Sequence, residues 1–218
     1  MPKPNQPLIL ASESPRRKEL LRKLKIPLKV IPSRLAEPPP GGLGPIEYTR
    51  KLALAKARVV AKQVGTGFIL GADTVVVYKD QILGKPADFA QGCQFLSLLQ
   101  GTRHKVVTAV ALLDAATGKT KVAHAVSTVT MRKINPQEIT RIARRHLDKA
   151  GGYAAQEKKD PLVKKIVGSY TNVVGLPLEI VEKLLRGHPF YFLLRRSRSS
   201  LRNWLMSLKE RYTEANRT

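Results

Sequence analysis

Short apolar runs alternate along the chain with stretches in which apolar residues recur every three or four positions. A short apolar run bounded by turn residues predicts a buried strand, whereas the wider spacing predicts a helix with one buried face. Strands are therefore predicted at residues 8–11, 28–31, 68–78, 81–83, 105–113, 121–132 and 162–167. Helices are predicted from residue 15 onward and at residues 46–64, 89–99, 136–146 and 178–185. Strands and helices mixed in this way indicate an α/β or α+β fold in which helices cover a sheet.

The first predicted helix carries a basic pair at its N-terminus. Ser14 is suited to cap this helix and Pro15 to occupy its first position, and Arg16 and Arg17 follow directly. The unpaired N–H groups and the dipole of a helix N-terminus favour an anion, and arginine forks match phosphate oxygens. The two arginines either bind a phosphate or are solvated side chains on a capped helix.

The predicted strand at residues 68–78 contains a carboxylate, Asp73, among apolar residues. Burying an aspartate is costly unless it is paired, liganded or catalytic. Asp73 is therefore either one half of an ion pair at a strand edge or a catalytic group. Lys56 precedes the strand in a predicted helix, and Lys85 follows it in a Gly-Lys-Pro sequence. Each lysine would by default be a solvated surface residue.

Two glycine-containing segments near the end of the chain are suited to a close approach of backbone and ligand. Residues 147–156 read LDKAGGYAAQ, and residues 168–178 read GSYTNVVGLPL. Glycine has no Cβ, so its backbone can lie against a ligand. The Gln156 amide offers both a donor and an acceptor to the edge of a base. Gln156 is otherwise a buried loop glutamine whose amide is satisfied by backbone groups.

The composition narrows the class of protein. The 218 residues, 43% of them hydrophobic, suffice for one globular domain, or one domain split into two lobes, with a sizeable core. The single cysteine, Cys93, allows no internal disulfide, and the four histidines are too far apart for a zinc site. The apolar runs are far too short to span a bilayer, so we expect a soluble, cytoplasmic protein.

The most unusual feature of the composition is its large positive charge. The chain carries 39 Lys and Arg against 16 Asp and Glu, a formal net charge of +23 at pH 7. Such a surplus predicts a polyanionic partner, namely nucleic acid, nucleotides or an anionic membrane surface. The basic residues are spread along the chain and aromatic residues make up only 6%. This argues against a surface that stacks single-stranded nucleic acid.

Five segments together resemble one protein family. The sequences SESPRRKELL, GADTVV, GKP, DKAGGY and GSYTNVVGLPL occur in the order and approximate spacing of the Maf family of nucleoside triphosphate pyrophosphatases. The resemblance covers residues 8–185. It implies an α/β fold with an elongated mixed sheet wrapped by helices and two lobes flanking a cleft, similar to the inosine triphosphate pyrophosphatases. It also implies hydrolysis of a nucleoside triphosphate to the monophosphate and pyrophosphate.

The resemblance further implies roles for individual residues. The plain Ser-Pro-Arg-Arg and Asp-Thr sequences are similar to the branch of the family that acts on dTTP and UTP. The implied residues fall into three groups: the proton acceptor Asp73 with Lys56, Lys85 and Glu37 for catalysis; Arg16, Thr74 and Gln156 for substrate selection; and Ser12, Arg16 and Arg17 for phosphate binding.

The implied reaction also predicts a metal ion. Attack of water on the α-phosphorus requires a base, and cations over the developing charge. A divalent cation, Mg²⁺ or alternatively Mn²⁺, would bridge phosphate oxygens, with Asp73 and Glu37 as candidate ligands. Asp73 could serve as base, as ligand or as both. We expect Asp73 to lie in a groove, on the same side of the sheet as Arg16 and Arg17.

The chain divides into a Maf-like domain, residues 1–186, and a basic extension, residues 187–218. The extension carries seven Lys and Arg against two Glu, and its apolar residues at helical spacing predict an amphipathic helix. These residues are Leu201, Trp204, Leu205 and Leu208. The helix either packs on its own domain or a dimer mate, or docks on nucleic acid or an anionic membrane.

Two further expectations concern the protein as a whole. The family resemblance suggests a homodimer. The alternative to an enzyme is a basic nucleic-acid-binding or cell-division-regulating protein on the same fold with weak catalysis. The charge alone supports this alternative, whereas a binding module needs no carboxylate that faces phosphates.

Overall fold

The order of strands and helices agrees with the hydrophobic pattern, and every element predicted between residues 8 and 185 is present. A computed structural model of the chain describes residues 6–156, 162–188, 190, 203, 204, 206 and 207. Its strands are β1 (Leu8–Leu10), β2 (Leu28–Val30), β3 (Phe68–Tyr78), β4 (Gln81–Leu83), β5 (Arg103–Asp114), β6 (Thr120–Met131) and β7 (Val163–Val167). Its helices are α1 (Pro15–Arg22), α2 (Pro45–Val64), α3 (Phe89–Leu99), α4 (Pro136–Ala143), α5 (Tyr170–Val174) and α6 (Leu178–Leu184).

The strands form one mixed sheet. Within the described residues its order is β2-β1-β3-β5-β6-β7, and β4 pairs with β3 off this path. β1 runs parallel to β2 and β3, and the other pairs are antiparallel. Helices cover this sheet, so the predicted α/β class with a mixed sheet is confirmed.

A gap in the sheet lies beside the middle of β3. β1 pairs with β3 only as far as Leu70, and β4 pairs with it only from Val76 onward. On its other side β3 pairs without interruption with β5. In the described structure, residues 71–75 therefore have no strand along one edge. A ligand approaching that edge can reach side chains from both faces of the sheet.

Hydrophobic clusters on both faces position this gap. On one face, the alanine-rich side of α2 packs against β3 and β5. On the other face, Leu70 and Ala72 of β3 join a cluster with α1 and α6, whereas Val76 joins a second cluster with α3 and α4. Thr74 lies between them on the same face, because strand side chains alternate. These two clusters lie on either side of Thr74, and we call the parts of the structure built on them the first and second lobes.

Two short elements were not predicted, namely α5 and a 3-10 turn at Ala150–Gly152. Neither is long enough to show a helical period in the sequence. The ends of α5 define it instead, because Ser169 caps its N-terminus and Gly175 closes it in the left-handed conformation at φ 116°. The helix predicted at residues 136–146 ends earlier, at Ala143. The N–H groups of Arg145 and His146 bond three residues back rather than four.

The C-terminal extension is described at only a few positions. Those between residues 203 and 207 are helical. Trp204 packs against the cluster around α1, and Lys23 Nζ lies 5.3 Å from its ring centroid, as expected for an extension that packs on its own domain. The other apolar positions of the predicted helix, Leu201, Leu205 and Leu208, lie outside the described residues. In the described part of the chain, no helix has both the length and the hydrophobicity of a membrane span.

Candidate active site

A cleft of about 390 Å³ opens at the gap in the sheet, between the two lobes. Its walls come from the start of α1, the loop between β2 and α2, the middle of β3, the turn after β4 and residues 148–156. Every residue that the sequence analysis assigns to the site lines this cleft. Among the described lining residues, six are cationic and four are acidic. The excess of positive charge suits an anionic ligand.

A buried ammonium group joins two carboxylates in the cleft. Lys56 projects from α2 and is only 8% exposed. Its Nζ donates hydrogen bonds to Asp73 Oδ1 at 2.6 Å and to Glu37 Oε1 at 2.7 Å. A buried ammonium must be paired to persist, and carboxylates from two distant segments supply the pair. The default expectation of a solvated surface lysine is therefore wrong for Lys56.

The proline-rich loop that carries Glu37 is held by a hydrogen bond from α2. The Tyr48 hydroxyl donates to the carbonyl of Pro38 at 2.8 Å. Burial acts to raise the pKa of Glu37, but Lys56, with smaller contributions from Lys85 and Arg17, outweighs it and lowers the pKa below its ordinary value. Glu37 is therefore ionised at neutral pH, next to the Lys56–Asp73 pair.

Asp73 keeps one carboxylate oxygen free. Its side chain is buried, and Oδ2 has no hydrogen-bond partner in the part of the chain that the structure describes. A buried polar atom without a partner requires an explanation, such as a bound water or ion. Asp73 is thus paired through Oδ1, whereas Oδ2 is a buried acceptor without a protein partner. The ion-pair alternative is confirmed, and the catalytic role stays a prediction.

The same orphaned oxygen bears on the metal prediction. Asp73 and Glu37 fit a divalent cation that takes most of its ligands from phosphate and water. No group of three or more histidine, cysteine or acidic side chains suited to a metal occurs among the residues described.

Arg17 is turned inward, and protein groups occupy much of its guanidinium. Its Nε donates to the carbonyl of Gly175 at 2.8 Å, Nη1 to Ser12 Oγ at 3.2 Å, and Nη2 to Thr74 Oγ1 at 2.9 Å. An arginine has five N–H donors, so two remain for a phosphate. Arg17 therefore positions Ser12 and Thr74 in addition to any contact with a ligand. The solvated-arginine alternative is wrong for this residue.

Asp73 and the arginine pair do not share a face of the sheet as expected. Asp73 and Thr74 are consecutive in β3, so their side chains point to opposite faces, towards Lys56 and Arg17 respectively. The gap beside β3 nevertheless exposes both faces to one cleft. Burial lowers the pKa of Arg17 while Asp73 acts to raise it, so the two charges interact across the strand edge.

Arg16 reaches across the cleft to the second lobe. Its Nη1 donates to Asp148 Oδ2 at 3.0 Å, and Lys149 pairs with the other oxygen of the same carboxylate. Burial acts to raise the pKa of Asp148, but the hydrogen bonds from Lys149 and Arg16 lower it below its ordinary value. The ionised Asp148 therefore orients the Arg16 side chain.

Lys85 and Gln156 line the cleft without direct partners. Lys85 acts electrostatically on Glu37, but among the described residues neither Lys85 nor Gln156 makes a hydrogen bond. Gln156 is exposed, so the alternative of a buried glutamine satisfied by backbone is wrong. Both side chains have polar groups available to a ligand.

The segment at residues 168–178 supports the floor of the cleft through hydrogen bonds. Thr74 Oγ1 lies 3.0 Å from Thr108 Oγ1, which donates to the backbone carbonyl of Asn172. The Asn172 amide in turn donates to the carbonyl of Val106 and to Ser127 Oγ. This chain of buried hydrogen bonds ties α5 to β5 and β6, and so fixes Thr74 and the Gly175 carbonyl that Arg17 binds.

Comparison with known proteins agrees with this arrangement. The sequence model of the family described as "Maf-like protein" matches residues 7–188. The chain belongs to the Maf family. It is 42% identical over 181 residues to a dTTP/UTP pyrophosphatase of Pelotomaculum thermopropionicum, covering 82% of this chain and 95% of that protein. It is 45% identical over 180 residues to a dTTP/UTP pyrophosphatase of Moorella thermoacetica, covering 82% and 93%. The solved Staphylococcus aureus Ham1 protein matches 84% of this chain and 99% of its own, with a TM-score of 0.47 and 14% identity.

Two cleft residues of this Maf protein escaped the assignment of roles from the sequence. Asp148 belongs to the DKAGGY segment, and only its pairing with Arg16 distinguishes it from a surface acid. Arg34 lies in the loop between β2 and α2 and lines the cleft. Its one signal in the sequence is its position three residues before Glu37, in a segment with no predicted element.

Proposed function

We propose that this Maf protein hydrolyses dTTP and UTP to the nucleoside monophosphate and pyrophosphate. One observation carries the proposal: a buried carboxylate, Asp73, has one oxygen paired with Lys56 and one oxygen free, in a cleft lined by an excess of cations. A base next to a polyphosphate site requires this combination. Relatives more than 40% identical that are named dTTP/UTP pyrophosphatases support the choice of substrate.

In the proposed reaction Asp73 activates the nucleophile. A water molecule bound at Asp73 Oδ2 transfers a proton to that oxygen while its own oxygen attacks the α-phosphorus. The bond from the α-phosphorus to the α–β bridging oxygen breaks, and pyrophosphate leaves with the electron pair. Lys56 holds Asp73 through Oδ1, so the free oxygen keeps its direction.

Cations of the cleft offset the negative charge that develops on the phosphates. Lys85 and the free N–H groups of Arg17 are available for this purpose. Asp73 and Glu37 would hold a Mg²⁺ ion, with Mn²⁺ as the alternative. When bound, this ion would neutralise phosphate charge and polarise the α-phosphoryl group.

Selection of the base is assigned to three residues that line the cleft, namely Arg16, Thr74 and Gln156. The free amide of Gln156 suits the donor and acceptor edge of a pyrimidine. Arg16 is oriented by Asp148, and Thr74 by Arg17. These contacts support the roles that the family resemblance implies, namely the preference for thymine and uracil over other bases.

The test is pyrophosphate release from a panel of nucleoside triphosphates in the presence of Mg²⁺. We expect turnover of dTTP and UTP, and no release by Asp73→Asn although this variant remains folded. Asp80→Asn is the matched control, because Asp80 is exposed in the turn after β3 at φ 63°, a conformation that asparagine tolerates. An active, folded Asp73→Asn variant would remove Asp73 from the mechanism.

If the wild type hydrolyses none of these nucleotides, the result would instead favour the alternative of a basic nucleic-acid-binding or cell-division-regulating protein. That alternative explains the charge of the chain but not the free oxygen of a buried aspartate in the cleft.

A cytoplasmic location, a homodimer and contact of residues 187–218 with nucleic acid or an anionic membrane remain proposals of the sequence analysis. Gel filtration with light scattering tests the dimer, and sedimentation with anionic vesicles, with and without residues 187–218, tests the membrane contact.

A further inference from the structure

Most cations of the cleft are already committed to protein groups. Lys56 is paired with two carboxylates, Arg16 and Lys149 share Asp148, and Arg17 donates three hydrogen bonds. A polyphosphate carries several negative charges, so it needs cations that no internal acid neutralises. Among the described lining residues, two cations have no hydrogen bond and no ion pair within the protein, namely Lys85 and Arg34.

Arg34 is the less expected of the two. It lies in the loop between β2 and α2, is exposed, and lines the cleft. Its backbone has φ 47°, in the left-handed region that a non-glycine residue adopts only at an energetic cost. The arginine side chain makes no interaction in the described structure that would offset this cost. A glycine or asparagine would satisfy the backbone better, so stability of the fold does not explain an arginine here.

The position of Arg34 in the loop indicates a role in ligand binding. The loop places it three residues before Glu37, whose carboxylate is anchored on Lys56. The loop itself is held by the hydrogen bond from Tyr48 to Pro38. The backbone of Arg34 therefore belongs to an anchored segment of the cleft wall. The planar fork of donors of an arginine matches phosphate oxygens.

We propose that Arg34 is a substrate-binding residue that contacts the phosphates of the triphosphate beyond the bond that is cut, and hence the pyrophosphate product. This inference rests on the proposed function, and it adds a residue to which the family resemblance assigns no role. Arg34 binds the substrate and its transition state to the same extent. Its loss therefore raises KM and leaves kcat nearly unchanged.

Two variants separate binding from stability. Arg34→Gln removes the charge, and Arg34→Gly also relieves the positive φ. For both we expect KM for dTTP and for UTP, and the inhibition constant of inorganic tripolyphosphate, to rise about tenfold, with kcat within about threefold of the wild type. Arg34→Gly should unfold at the same temperature as the wild type or higher. Arg58→Gln is the control, because Arg58 is exposed on α2 and does not line the cleft.

Binding of tripolyphosphate alone, measured by its effect on the unfolding temperature, keeps this test independent of turnover. A wild type that hydrolyses nothing but is stabilised by tripolyphosphate more than Arg34→Gln contradicts the proposed function and supports the phosphate contact. Equal stabilisation of both proteins, or stabilisation of neither, overturns the contact. A loss of affinity for dTTP without a loss for tripolyphosphate also overturns it, because the arginine would then contact the nucleoside.

Discussion

Replacing Lys56 by methionine tests the charge arrangement of the cleft. Methionine keeps most of the hydrophobic stem of lysine and removes the ammonium group, which lies within 2.7 Å of both Glu37 and Asp73. In Lys56→Met the two carboxylates lack their shared counter-ion. Asp73 is only 4% exposed, so water does little to replace it. We expect a folded but less stable protein with little activity.

The magnitude follows from the burial of the pair. Removing one partner of a buried ion pair costs about 3–5 kcal/mol, because the remaining charge loses its compensation. The lower end applies here, since the Glu37 side chain is 37% exposed and partly screened by water. A loss of about 3 kcal/mol lowers Tm by about 6–12 °C in a domain of this size. This is less than the usual total stability of about 5–15 kcal/mol, so the variant folds.

Urea unfolding of the wild type and of Lys56→Met at pH 8 and pH 5 measures the deficit, namely the loss of unfolding free energy caused by the substitution. Protonation of a carboxylate removes one of the uncompensated charges, so the deficit should be smaller at pH 5 than at pH 8. Lys51→Met is the matched control. Lys51 lies on the same helix and pairs with Glu47, but its side chain is 61% exposed. Its loss should cost less than about 0.5 kcal/mol at either pH.

Two results would refute this reasoning. One is a Lys56→Met protein as stable as the wild type, and the other is a deficit of the same size at both pH values. A double-mutant cycle with Asp73→Asn isolates the pair, because the neutral amide needs no counter-ion. Lys56→Met should therefore cost less in the Asp73→Asn background. Additive losses would mean that the two side chains are not coupled.

Three further predictions concern the rest of the fold. Burial lowers the pKa of His104 to about 4, so the folded protein binds this proton less readily than the unfolded chain. About 3 kcal/mol of stability should be lost as the pH falls from 6.5 to 4. Urea unfolding across this range measures this loss. The free energy of unfolding of His104→Gln should depend less on pH than that of the wild type, whereas that of the control His124→Gln should depend on pH as the wild type does. Asp148→Asn frees Arg16, so the ratio of kcat/KM for dTTP over dCTP should fall severalfold. Tm should change by about 3 °C or less, because the Asp148 side chain is 59% exposed. An unchanged ratio contradicts the positioning role. A Cβ at Gly71 would lie 2.1 Å from a backbone oxygen of α2, so Gly71→Ala should cost about 3 kcal/mol or more in thermal unfolding, and a Tm equal to that of the wild type would contradict the close packing of α2 on β3.

The sequence by itself determined the local elements and the class of fold. The apolar run of β3, the Ser14-Pro15 start of α1 and the alternation of strands with helices all follow from local backbone preference and the period of buried side chains. These features depend on neighbours within about ten residues, which the sequence displays directly. The family resemblance also assigned nine site residues, and all of them line one cleft, but the roles given to them stay predictions.

Only the tertiary structure decided which charges meet. The pairing of Lys56 with Asp73 and Glu37 joins segments 17 and 19 residues apart, and Arg17 bonds to Gly175 across 158 residues. No period in the sequence encodes such contacts, because they depend on strand order and on where each pairing stops. The gap between β1 and β4 is the clearest case. It arises because two strands end beside β3, and it lets side chains from opposite faces of one strand share a single cleft.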